Sequence, residues 1–166
     1  NAIVGKALLN LTKLSPAPLA LKSVVQQITP ANYDEHLPLL GECDLIIEAI
    51  AERLDWKKSL YAKILPFVSS RTVLASNTSG LSINALSEVL DASLHHRFCG
   101  VHFFNPPRYM HLVELIPCAS TDADVLDALE SFLVSTLGKG VVRAKDTPNF
   151  IANRIGVFSI LSTLHH

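Results

Sequence analysis

DLIIEAIAERLDWKKSLYAKILPFVSSRTVLASNTSG runs from Asp44 to Gly80 and holds two short apolar runs on either side of one amphipathic segment. Asp44 to Ile50 has the form of a parallel strand buried on both faces. Residues 54–68 place Leu54, Tyr61, Ile64, Leu65 and Val68 at helical spacing. Thr72 to Ser76 is the second apolar run. Short apolar strands alternating with amphipathic helices predict an α/β fold with a mainly parallel sheet.

The pattern continues on both sides. Ser82 is a plausible N-cap for a helix through Leu90. Phe98–Phe103 and Leu112–Ile116 are strand candidates. Thr121 caps a helix with Val125, Leu129, Phe132, Leu133 and Leu137 on one face, and Gly138 stands where a C-terminal glycine belongs. Val141 and Val142 lie in a last strand. Thr147 followed by Pro148 reads as an N-cap with proline at the first helical position. Toward the other end, residues 1–13 read as a helix with Ile3, Leu8, Leu9 and Leu11 buried, broken by SPAP at 15–18. Val24 to Ile28 is a short strand candidate.

The chain has 166 residues, which suits one domain, and 49% of them are hydrophobic, enough for a sizeable core. A net charge of -1 with no basic cluster directs it toward neither nucleic acid nor an anionic membrane. No apolar run approaches the ~20 residues that span a bilayer. Cys43, Cys99 and Cys118 lie far apart and form no CxxC pair, which suits a reducing, cytoplasmic setting. His95, His96, His102 and His111 lack HExxH or paired-Cys spacing, so no metal is expected. The last helix carries Ile151, Ile155, Val157, Phe158, Ile160 and Leu161 on several sides. Such a helix expects partners on more than one face, and on that ground the natural protein is expected to continue.

Four segments carry polar groups fit for chemistry. Ala75 to Leu81 joins a strand to a helix and offers hydroxyls, an amide and backbone N–H groups to a ligand, although a capped turn needs the same residues. His102 stands at a strand end before the Pro106-Pro107 loop, with Glu114 twelve residues on. A carboxylate there can hold the imidazole in one tautomer for proton transfer. The bland alternative is a core histidine and a solvated glutamate. In Lys145 to Arg154, Asn153 is an amide among apolar neighbours that needs partners, or the stretch is simply a good helix start. Glu48 could reach a ribose hydroxyl, or merely end a strand, and Lys57 could be a solvated lysine.

Together these segments resemble the L-3-hydroxyacyl-CoA dehydrogenase family. DLIIEAIAE, ASNTSGLSI, GVHFFNPPRYMHLVELI and KDTPNFIANRI stand in that family's order and spacing, from about residue 40 to 160. The resemblance implies a Rossmann-like, doubly wound domain, truncated at the N-terminus. Residues 1–147 would be part of the NAD-binding domain and 148–166 the start of a helical C-terminal domain. It implies His102 as general base, Glu114 orienting it, and Ser79 and Asn153 bonding the reacting oxygen of an acyl-CoA substrate. Glu48, Ala49, Glu52, Lys57, Asn77 and Asn105 would line the NAD cleft or support the site. A homodimer through the helical domain, or a multifunctional β-oxidation chain, would follow. The family's GxGxxG loop and ribose-binding acid are absent. Asn149 replaces a glycine usual in the family's motif, and Gly80 a common serine. Two other readings remain: a related dehydrogenase of free 3-hydroxy acids or of 3-hydroxybutyryl-CoA, and a non-catalytic binding protein on the same fold.

Overall fold

In the computed structural model of the chain, residues 2–165 are described. Asn1 and His166, to which the first and last expected helices extend, lie outside them. The strands are β1 (Leu45–Glu48), β2 (Val73–Ser76), β3 (Phe98–Phe103), β4 (Leu112–Pro117) and β5 (Gly140–Arg143), in sheet order β1-β2-β3-β4-β5. β1, β2 and β3 run parallel, β4 is antiparallel to β3, and β5 is parallel to β4. The helices are α1 (Ala2–Leu11), α2 (Leu54–Ile64), α3 (Ile83–Ser87), α4 (Ala92–His95), α5 (Ala123–Ser135) and α6 (Ala152–His165).

Alternation along the strands sends side chains to two cores. Leu74, Phe98 and Ile116 face one layer with Tyr61 and Ile64 of α2 and Ile83 and Leu86 of α3. Ala75, Cys99, Val101, Val113 and Leu115 face the other, against Val125, Leu126, Leu129 and Leu133 of α5. The sheet is therefore covered on both faces, as the doubly wound expectation requires. Each fully buried aliphatic side chain contributes about 1.5–3 kcal/mol to this two-sided packing.

Several local expectations are corrected. Lys22–Gln27 is a 3-10 helix rather than a strand. Its Val24 and Val25 find no neighbouring strand, and β propensity is realised only against one. Ile3 and Leu9 of α1 are exposed. Thr121 does not cap α5; its hydroxyl donates to the Phe98 carbonyl and accepts from Cys118 N, and Asp122 takes the N-cap position. The Ser82 cap is as expected, its hydroxyl accepting from Ala85 N at 3.1 Å, but α3 ends at Ser87 and α4 follows separately. α6 begins at Ala152 rather than at Pro148. Asn149 and Phe150 stand at φ 62° and 49°, left-handed values that cannot continue a helix.

Candidate active site

His102 is the fifth residue of β3, near its carboxyl end, and Glu114 lies directly opposite it on β4. The antiparallel pairing puts the amino half of β4 at that same end of the sheet. His102 Nδ1 is 2.7 Å from Glu114 Oε2, and the two side chains are 5% and 1% exposed. The second oxygen, Oε1, accepts from Ile151 N and Ala152 N, each at 2.9 Å. These are N–H groups at the start of α6, where a carboxylate is favoured. A carboxylate so placed only accepts, so Nδ1 carries the proton and Nε2 is left as the basic nitrogen. The rings of Phe104 and Phe150 stand 4.4 and 5.9 Å from the imidazole, centre to centre, and form its apolar surroundings.

Ser79 is exposed on the loop after β2. Its loop is held from below by Glu52, whose Oε1 accepts from Thr78 Oγ1 at 2.6 Å, Ser79 N at 2.8 Å and Gly80 N at 3.1 Å. It is held from the side by Asn153 Nδ2, which donates to the Ser79 carbonyl at 3.0 Å. The segment before α6 is held in turn by Asp146, which accepts from Ser82 Oγ, Ile83 N and Asn84 N at 2.8–2.9 Å and from Asn84 Nδ2 at 2.6 Å. Partial burial works to raise the Asp146 carboxyl. The Asn84 and Ile83 N–H groups and the side chains of Ser82 and Asn84 outweigh it and hold the group below its ordinary range. Sequence spacing brings out Asn153 but not Asp146, which reads simply as part of a helix start.

Glu48 and Lys57 are turned inward. Their side chains are 1% and 0% exposed, with Lys57 Nζ 2.7 Å from Glu48 Oε1. Lys57 also donates to Glu48 Oε2 at 2.9 Å and to the Ile50 carbonyl at 3.3 Å. Glu48 further accepts from Ile50 N at 2.6 Å, Ser76 Oγ at 2.7 Å and Tyr61 OH at 3.1 Å. Both side chains thus point inward, and Lys57 Nζ also lies 3.9 Å from Oε2 of the exposed Glu52. They hold the ends of β1 and β2 from beneath. Tyr61, read from sequence as a core residue only, belongs to this cluster. Burial above all pushes its hydroxyl up. The Glu48 charge adds to this and the Ser76 contact opposes it, so the group stays a neutral donor.

Asn77 Oδ1 accepts from Phe103 N at 2.9 Å and ties the end of β2 to the end of β3. Asn105 opens an exposed loop with a cis bond to Pro106. That loop is pinned by Lys139, a largely buried amine that donates to the Pro107 carbonyl and, at 2.9 Å, to that of Met110. Asn105, Pro106, Pro107 and Tyr109 share a cleft of about 460 Å³ with Leu14 and Pro16; His102 does not line it. Cys99 is fully buried, and burial, with Cys118 adding to it, pushes its thiol up to about 12. Among the described residues no three His, Cys, Asp or Glu side chains gather as metal ligands.

Ala49, Glu52, Ser79 and Asn105 are exposed just past the carboxyl ends of β1, β2 and β3. The carboxylate, hydroxyl and amide on that rim are hydrogen-bonding groups of the kind that the ribose hydroxyls and carboxamide of a dinucleotide can use. A mostly parallel, two-sided sheet with its polar groups on that rim is the architecture of doubly wound nucleotide-binding domains, dinucleotide-dependent dehydrogenases among them. The chain belongs to the 3-hydroxyacyl-CoA dehydrogenase family: the family model described as 3-hydroxyacyl-CoA dehydrogenase, NAD binding domain, matches residues 10–147. A Bacillus subtilis protein named "Probable 3-hydroxyacyl-CoA dehydrogenase" is 43% identical over 159 residues, which are 96% of this chain and 20% of that protein. The crystal structure of 3-hydroxybutyryl-CoA dehydrogenase from Escherichia coli K12 superposes with a TM-score of 0.75 at 33% identity, covering 93% of this chain and 32% of that one. The dehydrogenase part of multifunctional enzyme 1 from C. elegans does so with 0.60 at 28% identity, covering 85% and 31%. The chain spans 22%, 20% and 23% of the length of its first three curated relatives.

Proposed function

We propose that the protein containing this chain is an NAD-dependent L-3-hydroxyacyl-CoA dehydrogenase of fatty acid β-oxidation. The observation that carries the reading is the buried His102–Glu114 pair, with Nδ1 at 2.7 Å from Oε2 and the other carboxylate oxygen held by the start of α6. His102 Nε2 takes the proton from the substrate 3-hydroxyl, and Glu114 keeps the ring in the tautomer that can do so. NAD, when bound, accepts the hydride from carbon 3. Ser79 and Asn153 position the reacting oxygen, and Phe104 and Phe150 limit water around the imidazole. Ala49, Glu52, Asn77 and Asn105 line or shape the cofactor cleft.

Residues 1–147 are assigned to part of the NAD-binding domain and 148–166 to the start of a helical domain. The family match that stops at 147 supports this division, as does the absence of any buried residue in α6. A homodimer through that helical domain, or a place in a multifunctional chain, follows from the same reading. Relatives of both lengths exist, so the family likeness fits either. A cytoplasmic setting rests on the three widely spaced cysteines, and no helix among the described residues is long and apolar enough to cross a membrane.

The test is NADH oxidation by the full-length protein with acetoacetyl-CoA and, separately, with free acetoacetate. Turnover only with the thioester supports the reading. Equal turnover with the free acid moves the protein to the hydroxy acid dehydrogenases. Tight NADH binding without turnover on either favours a binding protein.

A further inference from the structure

Gly80 and Asn149 lie 69 positions apart in sequence and touch in the fold. A Cβ at position 80 would stand 2.6 Å from Asn149 Oδ1 and 3.3 Å from both Cα and N of Asn149. The first distance is far inside van der Waals contact, but Oδ1 ends a rotatable side chain that would turn aside from it. The other two are tight but within reach of a shift of a few tenths of an ångström. Gly80 is not in the left-handed region, where only Asn149, Phe150 and Gly138 are found among the described residues, so what glycine supplies here is space. Asn149 does stand at φ 62°, a conformation that asparagine tolerates better than most residues and glycine better still. The side chain of Asn149 thus occupies the volume that a side chain at 80 would need. Both positions are also the ones at which the sequence departs from the motifs it resembles.

The pair sits between two parts of the site. Gly80 follows Ser79, and its N–H is held by Glu52. Asn149 precedes Ile151, Ala152 and Asn153, which bond Glu114 and the Ser79 carbonyl. We infer that Gly80 and Asn149 form a complementary packing pair that sets the spacing between the Ser79 loop and the start of α6, and so positions Ser79 and Asn153 for the reaction. Neither touches the reacting atoms; both are positioning residues. For its catalytic half this inference rests on the dehydrogenase reading above.

The test is a double-mutant cycle in the full-length protein, with Gly80→Ala, Asn149→Gly and the double variant. Unfolding temperature, NADH affinity, kcat and KM for the acyl-CoA are measured for all four proteins. Gly80→Ala displaces the Asn149 side chain and presses the loop a few tenths of an ångström from the helix start, which lowers kcat about fivefold or more, while NADH affinity stays within about twofold. Asn149→Gly empties the gap and lowers kcat by about threefold. The double variant, with a methyl group in place of the asparagine side chain, recovers kcat to within about threefold of wild type. A double variant as impaired as Gly80→Ala, or a Gly80→Ala protein that behaves as wild type, overturns the pairing. If Gly80→Ala does not fold, the double variant must fold and turn over, or the inference fails. If the wild-type protein has no dehydrogenase activity, that reading falls. The pairing is then judged on unfolding temperature alone, where Asn149→Gly must return most of what Gly80→Ala removes.

Discussion

Glu114 has two oxygens and three donors around them: His102 Nδ1, Ile151 N and Ala152 N. Every contact needs an acceptor at Glu114, and an amide in its place has only one acceptor atom. Glu114→Gln therefore sets an N–H against a donor, either at the imidazole or at the start of α6. A buried mismatch of this kind costs about 1–3 kcal/mol, read as a lower midpoint in denaturant. The same change lowers kcat by about tenfold or more and alters the pH–rate profile, because the ring loses its fixed tautomer. An unaltered profile with full stability would contradict the pairing. His102 and Glu114 were legible in sequence as a strand-end histidine with a carboxylate on the returning strand. Glu48 and Lys57 were legible as polar residues but not in their direction. Nine positions apart, they meet only because the β1–α2 turn folds the lysine back beneath the strand end.

Among the elements, the strands and long helices follow from periodicity, since each needs only its own side-chain pattern to be read. The errors fall where a tertiary partner decides. Thr147-Pro148 has the signature of a helix start, yet α6 opens at Ala152 because the intervening turn brings Asn149 against Gly80 and Phe150 into the core. Thr121 is a natural cap, yet its hydroxyl goes to β3. The α3–α6 connection depends on Asp146. Its carboxyl is lowered in the folded protein, so the stability it adds is present above its ordinary value of 3.8 and is lost as the pH falls through the folded value. Asp146→Asn should cost about 1–2 kcal/mol at neutral pH. The gap between wild type and variant should begin to close on acidification below about pH 4, where the carboxyl of the unfolded chain takes up its proton first, and should narrow further toward the lowered folded value. Thermal unfolding of both proteins between pH 3 and 7 checks this. A gap that stays constant across that range would mean that Asp146 acts by packing rather than by charge.

Across the whole molecule, the low charged fraction of 17% has a visible counterpart. Phe158, Leu161 and Leu164 of α6 are 73%, 61% and 78% exposed, and Ile47 of β1 is 40% exposed. The fold class and the site at the carboxyl ends of the strands were legible because alternating strands and helices permit few topologies. The interlocking of the Ser79 loop, the 146–153 segment and the His102–Glu114 pair was not, because it joins residues far apart in sequence. The role proposed for His102 is to move the proton for a hydride transfer between acyl-CoA and NAD. It is tested most directly by acetoacetyl-CoA-dependent NADH oxidation in the full-length protein and its His102→Ala variant, with NADH binding measured in parallel. His102→Ala is expected to lose about 10²–10⁴-fold in kcat with NADH affinity nearly unchanged. Turnover of the variant at the wild-type rate would contradict it.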